Sequence, residues 1–137
     1  MRLIVWAIVA VGALLAGMSS LHADDAAPLA GSMWRPVPLS GYAGTDDQPV
    51  FLEFSSAGVV SGYAGCNRFT GSYRQNGDTL VFGPLATTRK ACAPDVMERE
   101  AWLLKALKTV RRIAVTPSEL SLKTLKKVVL LRLMPHG

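Results

Sequence analysis

The sequence predicts an α+β fold: one small domain, a curved and mostly antiparallel sheet or partial barrel of about seven or eight strands, with one helix. Three observations lead there. Short segments alternate apolar and polar residues, the period of half-buried strands. A single later segment instead carries its apolar residues at helical spacing. The links between neighbouring strand segments are short, which favours antiparallel pairing. With 137 residues, the chain has room for one domain and not two.

Residues 1–23 read as a signal peptide. Met1-Arg2 form a positive start, Leu3 to Ala16 an uncharged apolar stretch, and Ala23 a small residue ahead of Asp24-Asp25. At about 14 residues the apolar stretch is shorter than the roughly 20 needed to span a bilayer core. Leu14-Leu15-Ala16-Gly17 has the shape of a lipoprotein cleavage box, but Met18 stands where a lipid-bearing cysteine is required. The mature protein is therefore expected to be soluble in the periplasm and not lipid-anchored.

Residues 24–31 have no period and are expected to be a flexible lead-in to a domain over residues 32–134. Trp34 to Leu39 begins ordered structure, with Pro36 and Pro38 confining it to a sheet edge. Gly41 to Pro49 reads as a loop. Val50 to Phe54 alternates Val50, Leu52 and Phe54 against Glu53, a half-buried strand. Ser55 to Gly58 turns into a strand over Val59 to Ala64, and Phe69 to Arg74 forms another. Asn76-Gly77 suits a two-residue hairpin turn, returning as Thr79 to Phe82.

Pro94 to about Thr109 reads as the helix. Proline is tolerated at the first helical position, and Asp95 and Glu98 lie near the positive end of the dipole. Val96, Met97, Ala101, Leu103, Leu104, Leu107 and Val110 gather on one side. Ile113 to Val115, Glu119 to Lys123 and Val128 to Leu133 complete the strands, with Leu120 and Leu122 facing in.

The chain has two cysteines, Cys66 and Cys92. An even count in an exported protein reads as a disulfide. Closing a loop of about 25 residues, it stabilises the fold by roughly 3 kcal/mol in the chain-entropy model. The basic residues cluster late: Lys105, Lys108, Arg111, Arg112, Lys123, Lys126, Lys127 and Arg132 face the single acid Glu119. Such a run is ordinarily a solvated face. As a site, Arg111, Arg112, Lys123, Lys126 and Lys127 would suit an anionic envelope component, and the expected location argues against nucleic acid.

Catalytic patterns are sparse. Of the two histidines, His22 leaves with the signal and His136 lies in a tail expected to fray. That removes Ser-His-Asp and Cys-His arrangements. Metal clusters and phosphate-binding glycine loops are missing from the sequence, and Asp46-Asp47 lacks the spacing of a calcium loop. Glu53, Asp95 and Glu100 are carboxylates with nothing to place two of them across a cleft. The expectation is a non-enzymatic monomer needing no cofactor and no metal.

Two segments carry a recognisable signature. One runs from Ser61 to Tyr73, with Gly65-Cys66-Asn67-Arg68-Phe69-Thr70-Gly71-Ser72-Tyr73 as its core, and the other from Phe82 to Pro94, with Thr88-Arg89-Lys90-Ala91-Cys92 before the helix. Together they resemble the META domain, the family of HslJ-like heat-inducible envelope proteins. Trp34, Glu100, Leu104 and Leu107 match further family positions. The resemblance implies an α+β domain, a periplasmic or surface address and a link to stress tolerance, but no reaction.

Read as architecture, Gly62, Gly65 and Gly71 allow sharp turns and close approach, and Asn67 can satisfy its own backbone. Read as a site, Tyr63, Arg68 and Tyr73 would line a ligand groove. Glu100 breaks its local pattern, sitting mid-arc among the apolar helix residues. Its carboxyl is expected to meet Arg68, Arg89 or backbone N–H groups near the disulfide. Three functions are open: a stress-tolerance module binding a protein or an anionic envelope component, a small secreted hydrolase inhibitor, and a carrier of a small apolar ligand.

Overall fold

The computed structural model describes residues 26–37 and 49–137. The expected signal peptide and Asp46-Asp47 lie outside the described residues. In chain order the elements are β1 (Ser32–Pro36), β2 (Val50–Phe54), β3 (Val59–Ala64), β4 (Arg68–Asn76), β5 (Thr79–Phe82) and β6 (Ala86–Thr87). Then come α1 (Pro94–Thr109), β7 (Arg112–Val115), β8 (Leu120–Lys123) and β9 (Val129–Pro135). Every pairing is antiparallel. The order β3-β2-β1-β9-β8-β7-β5-β4 closes on itself through β3–β4, so eight strands form a barrel with β6 added alongside β4.

Alternation decides what fills it. Leu52 and Phe54 of β2, Val60 and Ala64 of β3, and Phe69 and Tyr73 of β4 point inward. Leu80, Phe82, Ile113, Leu120, Leu122, Leu131 and Leu133 complete the interior with Leu103, Leu107 and Val110 from the helix side. Each such large side chain contributes about 1.5–3 kcal/mol on full burial. Gly62 faces inward as well, where a Cβ would sit 2.8 Å from the Phe69 ring and 2.0 Å from the Phe51 carbonyl oxygen. Its bare backbone is what lets β2, β3 and Phe69 pack together.

The structure corrects several expectations. β1 is an interior strand, paired with β2 through Ser32–Trp34 and with β9 through Trp34–Pro36. Pro36 fits there because β2 no longer accompanies it, and the Val37 N–H carries on to the Arg132 carbonyl at 3.0 Å. The tight hairpin turn is Gly77-Asp78, one residue later than expected, since Asn76 pairs with Thr79 and only Gly77 has positive φ (57°).

The lead-in is docked from Ala26 onward. Leu29 is fully buried, and Gln75 holds this backbone by accepting from the Leu29 N–H (2.8 Å) and donating to the Ala27 carbonyl (2.9 Å). At the other end, His136 does not fray: its N–H donates to the Met33 carbonyl at 2.9 Å. On the helix, Ala106 takes the inward place expected of Ala101, which is exposed. Ser121 lies on the outer face opposite Leu120 and Leu122, yet is buried there: it pairs with Arg132 across β9 and its hydroxyl donates to Glu119 at 2.9 Å.

Candidate functional site

The β3–β4 connection makes a narrow corner. The Ala64 N–H donates to the Asn67 carbonyl at 2.9 Å, and Gly65 takes φ 108°, a conformation that a side chain would disfavour. The turn aims two consecutive backbone N–H groups, of Cys66 and Asn67, toward the helix. Glu100, only 5% exposed, receives both on Oε2 at 3.0 and 2.6 Å, and takes Asn67 Nδ2 on Oε1 at 2.7 Å. Its partners are thus backbone donors and an asparagine, not Arg68 or Arg89.

Asn67 is saturated in turn. Nδ2 also donates to the Lys90 carbonyl (3.0 Å), while Oδ1 accepts from the Lys90 N–H (2.6 Å) and the Thr88 hydroxyl (2.8 Å). Two donors and two acceptors exhaust the amide. The Cys66–Cys92 disulfide, with Cα atoms 6.0 Å apart, ties the same corner to the segment entering α1. Thr88 is a member of the sequence signature whose role could not be read there, because it depends on where Asn67 folds.

The three proposed groove residues do not assemble. Tyr63 and Arg68 are paired across β3 and β4 on the outer face, with the guanidinium 5.5 Å from the ring centroid. Tyr73 points the other way, into the core. Its ring meets Phe54 edge-on at 5.0 Å, its hydroxyl donates to the Ser55 carbonyl at 2.6 Å, and burial pushes the phenol above its ordinary pKa. Arg68 does border an outer-face depression of about 450 Å³, together with Phe51, Glu53, Ser61, Thr70 and Thr88.

The basic residues separate into two groups. Arg112 pairs with Asp78 at 2.8 Å, which draws it into the β5–β7 junction. Arg111 donates through Nη1 to the Lys108 and Val110 carbonyls (2.9 and 2.6 Å), covering the helix C-terminus. Among the described residues, Lys108, Arg111, Lys123, Lys126 and Lys127 make no ion pair. Beside them lies a shallow groove of about 520 Å³, bordered by Arg111, Lys126, Thr109 and Thr124 and floored by Leu125 and Val128. These two apolar residues were not singled out in the sequence, since only their exposure makes them unusual.

A closed antiparallel barrel, pinned at one corner to a single helix by a disulfide and a buried glutamate, defines a compact α+β class of domain. The chain belongs to the META domain family, whose pattern matches residues 27–136. That match begins five residues before the expected domain start, in keeping with the docked Leu29.

Solved relatives share the fold. A protein from Burkholderia xenovorans, determined by NMR, is 28% identical with a TM-score of 0.62, covering 80% of this chain and 84% of its own. A second NMR structure is 28% identical with a TM-score of 0.61, over 77% and 90% of the two chains. A DUF4847 family protein from Bacteroides vulgatus, at 12% identity and a TM-score of 0.57 over 77% and 93%, is similar in fold alone. No curated protein matches the chain.

Proposed function

We propose that this META-domain protein is an exported, non-enzymatic module of the periplasm that supports envelope stress tolerance by binding an anionic envelope component. The observation that carries the reading is the set of cations without ion pairs among the described residues, Lys108, Arg111, Lys123, Lys126 and Lys127, of which Arg111 and Lys126 border an open groove. The most elaborate polar constellation, Glu100 with Asn67, is fully engaged in holding the helix to the barrel. The Asn67 amide is saturated and the Glu100 carboxylate accepts three hydrogen bonds from the corner, which favours a structural role. The barrel interior is filled by side chains, which favours an outer surface over an enclosed ligand.

Electrostatic capture weakens as ions screen exposed charges, over about 10 Å at 0.1 M salt. Mature protein recovered from the periplasmic fraction is used as bait in envelope extract at low and high salt. Phosphate-rich or acidic material should be retained at low salt, released at high salt, and lost by a Lys126→Glu, Lys127→Glu variant. Equal retention by wild type and variant would refute the reading, as would absence of the protein from the periplasmic fraction.

A further inference from the structure

The connection between β8 and β9 combines exposed apolar side chains with unpaired cations. Leu125 is 67% exposed, Val128 60% and Val129 40%. Single exposed hydrophobics are ordinary on protein surfaces, but Leu125 and Val128 line one groove together. Lys126 and Lys127 lie between them and are exposed, with Arg111 across the groove.

The loop is held in shape. The Lys127 N–H donates to the Thr124 carbonyl (2.9 Å), the Thr124 N–H to the Val128 carbonyl (2.9 Å), and the Val128 N–H to the Thr124 hydroxyl (3.2 Å). Lys127 has φ 62°, and is the only non-glycine residue with positive φ among the described residues. The left-handed region disfavours a side chain there, and glycine is the usual solution. A lysine kept in that conformation presents its charge at the tip at the expense of local backbone preference.

We infer that the β8–β9 tip docks on an anionic phospholipid bilayer, with Leu125 and Val128 entering the interface and Lys126, Lys127 and Arg111 reaching the headgroups. This rests on the proposed envelope-binding reading and names its partner. Charge complementarity selects the occupant: basic residues beside a negative leaflet attract it, and apolar side chains between them gain by leaving water. A polymer of phosphates or acidic sugars would satisfy the cations, yet would give Leu125 and Val128 nothing to enter. So short an anchor holds reversibly, as a peripheral contact rather than a span.

Co-sedimentation of the mature protein tests this, using phosphatidylcholine vesicles with and without about one-third phosphatidylglycerol. Binding is expected only to the anionic vesicles and should fall with salt. Lys127→Gly should weaken it about fivefold, the worth of one interfacial charge, while leaving the melting temperature unchanged or higher. Leu125→Ser with Val128→Ser should weaken it about tenfold or more with the fold intact, since both positions are exposed. Absence of binding to the anionic vesicles overturns the inference. Undiminished vesicle binding by the double serine variant does so too, and in that case equal binding of the variant and wild type to polyphosphate identifies a polymer site instead. Salt-sensitive capture of envelope material without vesicle binding removes the lipid inference alone. Failure of both experiments removes the envelope-binding reading with it.

Discussion

Replacing Glu100 tests how the helix is fixed to the barrel. In Glu100→Ala, the buried N–H groups of Cys66 and Asn67 lose their acceptor, whereas Asn67 Nδ2 keeps the Lys90 carbonyl. An orphaned buried donor costs about 1–3 kcal/mol, so two cost about 3–4 kcal/mol if water partly fills the space. For a domain of about 110 residues, unfolding entropy near 0.23 kcal/mol/K converts 3 kcal/mol into a fall of about 13 °C in Tm. Glu100→Gln is the sharper probe. Simple isostery predicts a mild effect when the partners are backbone donors. Here the Lys90 N–H and carbonyl fix which end of the Asn67 amide faces Glu100, so the glutamine NH2 must confront either Nδ2 or the two backbone donors. We expect a loss of about 2 kcal/mol or more, read from urea midpoints with the disulfide intact. An unchanged Tm for Glu100→Ala would refute the corner lock, and a Glu100→Gln variant within about 0.5 kcal/mol of wild type would refute the amide argument.

Three further perturbations address other parts of the fold. Gly62→Ala places a Cβ 2.0 Å from a backbone oxygen, so β2 and β3 must part, and urea unfolding should register about 3 kcal/mol or more of destabilisation; a loss below 1 kcal/mol would show that the strands yield easily. Serine at both Cys66 and Cys92 should cost about 3–4 kcal/mol in the chain-entropy account, and equal urea midpoints for oxidised wild type and variant would contradict it. Tyr73 has a phenol pKa raised by burial, so its contribution is complete below the unfolded value near 10 and is lost as pH rises through the folded value. Tyr73→Phe should remove that increment of alkaline destabilisation while costing about 1 kcal/mol at neutral pH through the Ser55 hydrogen bond; parallel stability–pH curves above about pH 10 would count against the assignment.

Where burial follows a period, the sequence is readable. β2, β3, β5 and the helix fall within the bounds that alternation and helical spacing indicate. β6 escapes because its two residues are both exposed and carry no period. Leu29 escapes because one apolar residue in an irregular stretch gives no hint of the Gln75 side chain that anchors it. The edge assignment of β1 failed because proline excludes only the side its N–H would serve, and on that side the ladder with β2 ends at Trp34. Tyr73 was misplaced although the information was present: it shares the parity of Phe69, which faces the core, whereas Tyr63 alternates with inward Val60, Gly62 and Ala64. For the site, the cations are visible in sequence, but their division is not. Arg112 meets Asp78 only because β7 joins β5, 34 positions away in the chain.

That junction also explains why so much polar structure is gathered at the opposite end of the helix. β5 and β7 share one register pair, Thr79 with Arg112, supported by the Leu80 N–H to the Arg111 carbonyl (3.1 Å) and the Ile113 N–H to the Asp78 carbonyl (2.8 Å). Neighbouring ladders are longer: β7 and β8 share four pairs, and β4 and β5 four. The segment linking β5 to β7 is the one that carries β6, Cys92 and α1 before it rejoins the barrel. A barrel with so thin a seam stays closed only if that segment is held elsewhere. The Cys66–Cys92 bond, Glu100 and Asn67 hold its beginning, and the buried Leu103, Leu107 and Val110 carry the constraint along the helix to the seam. Arg111 then both covers the helix C-terminus and borders the basic groove. The signature residues thus bear on the proposed envelope-binding surface through closure of the barrel, without touching the groove themselves.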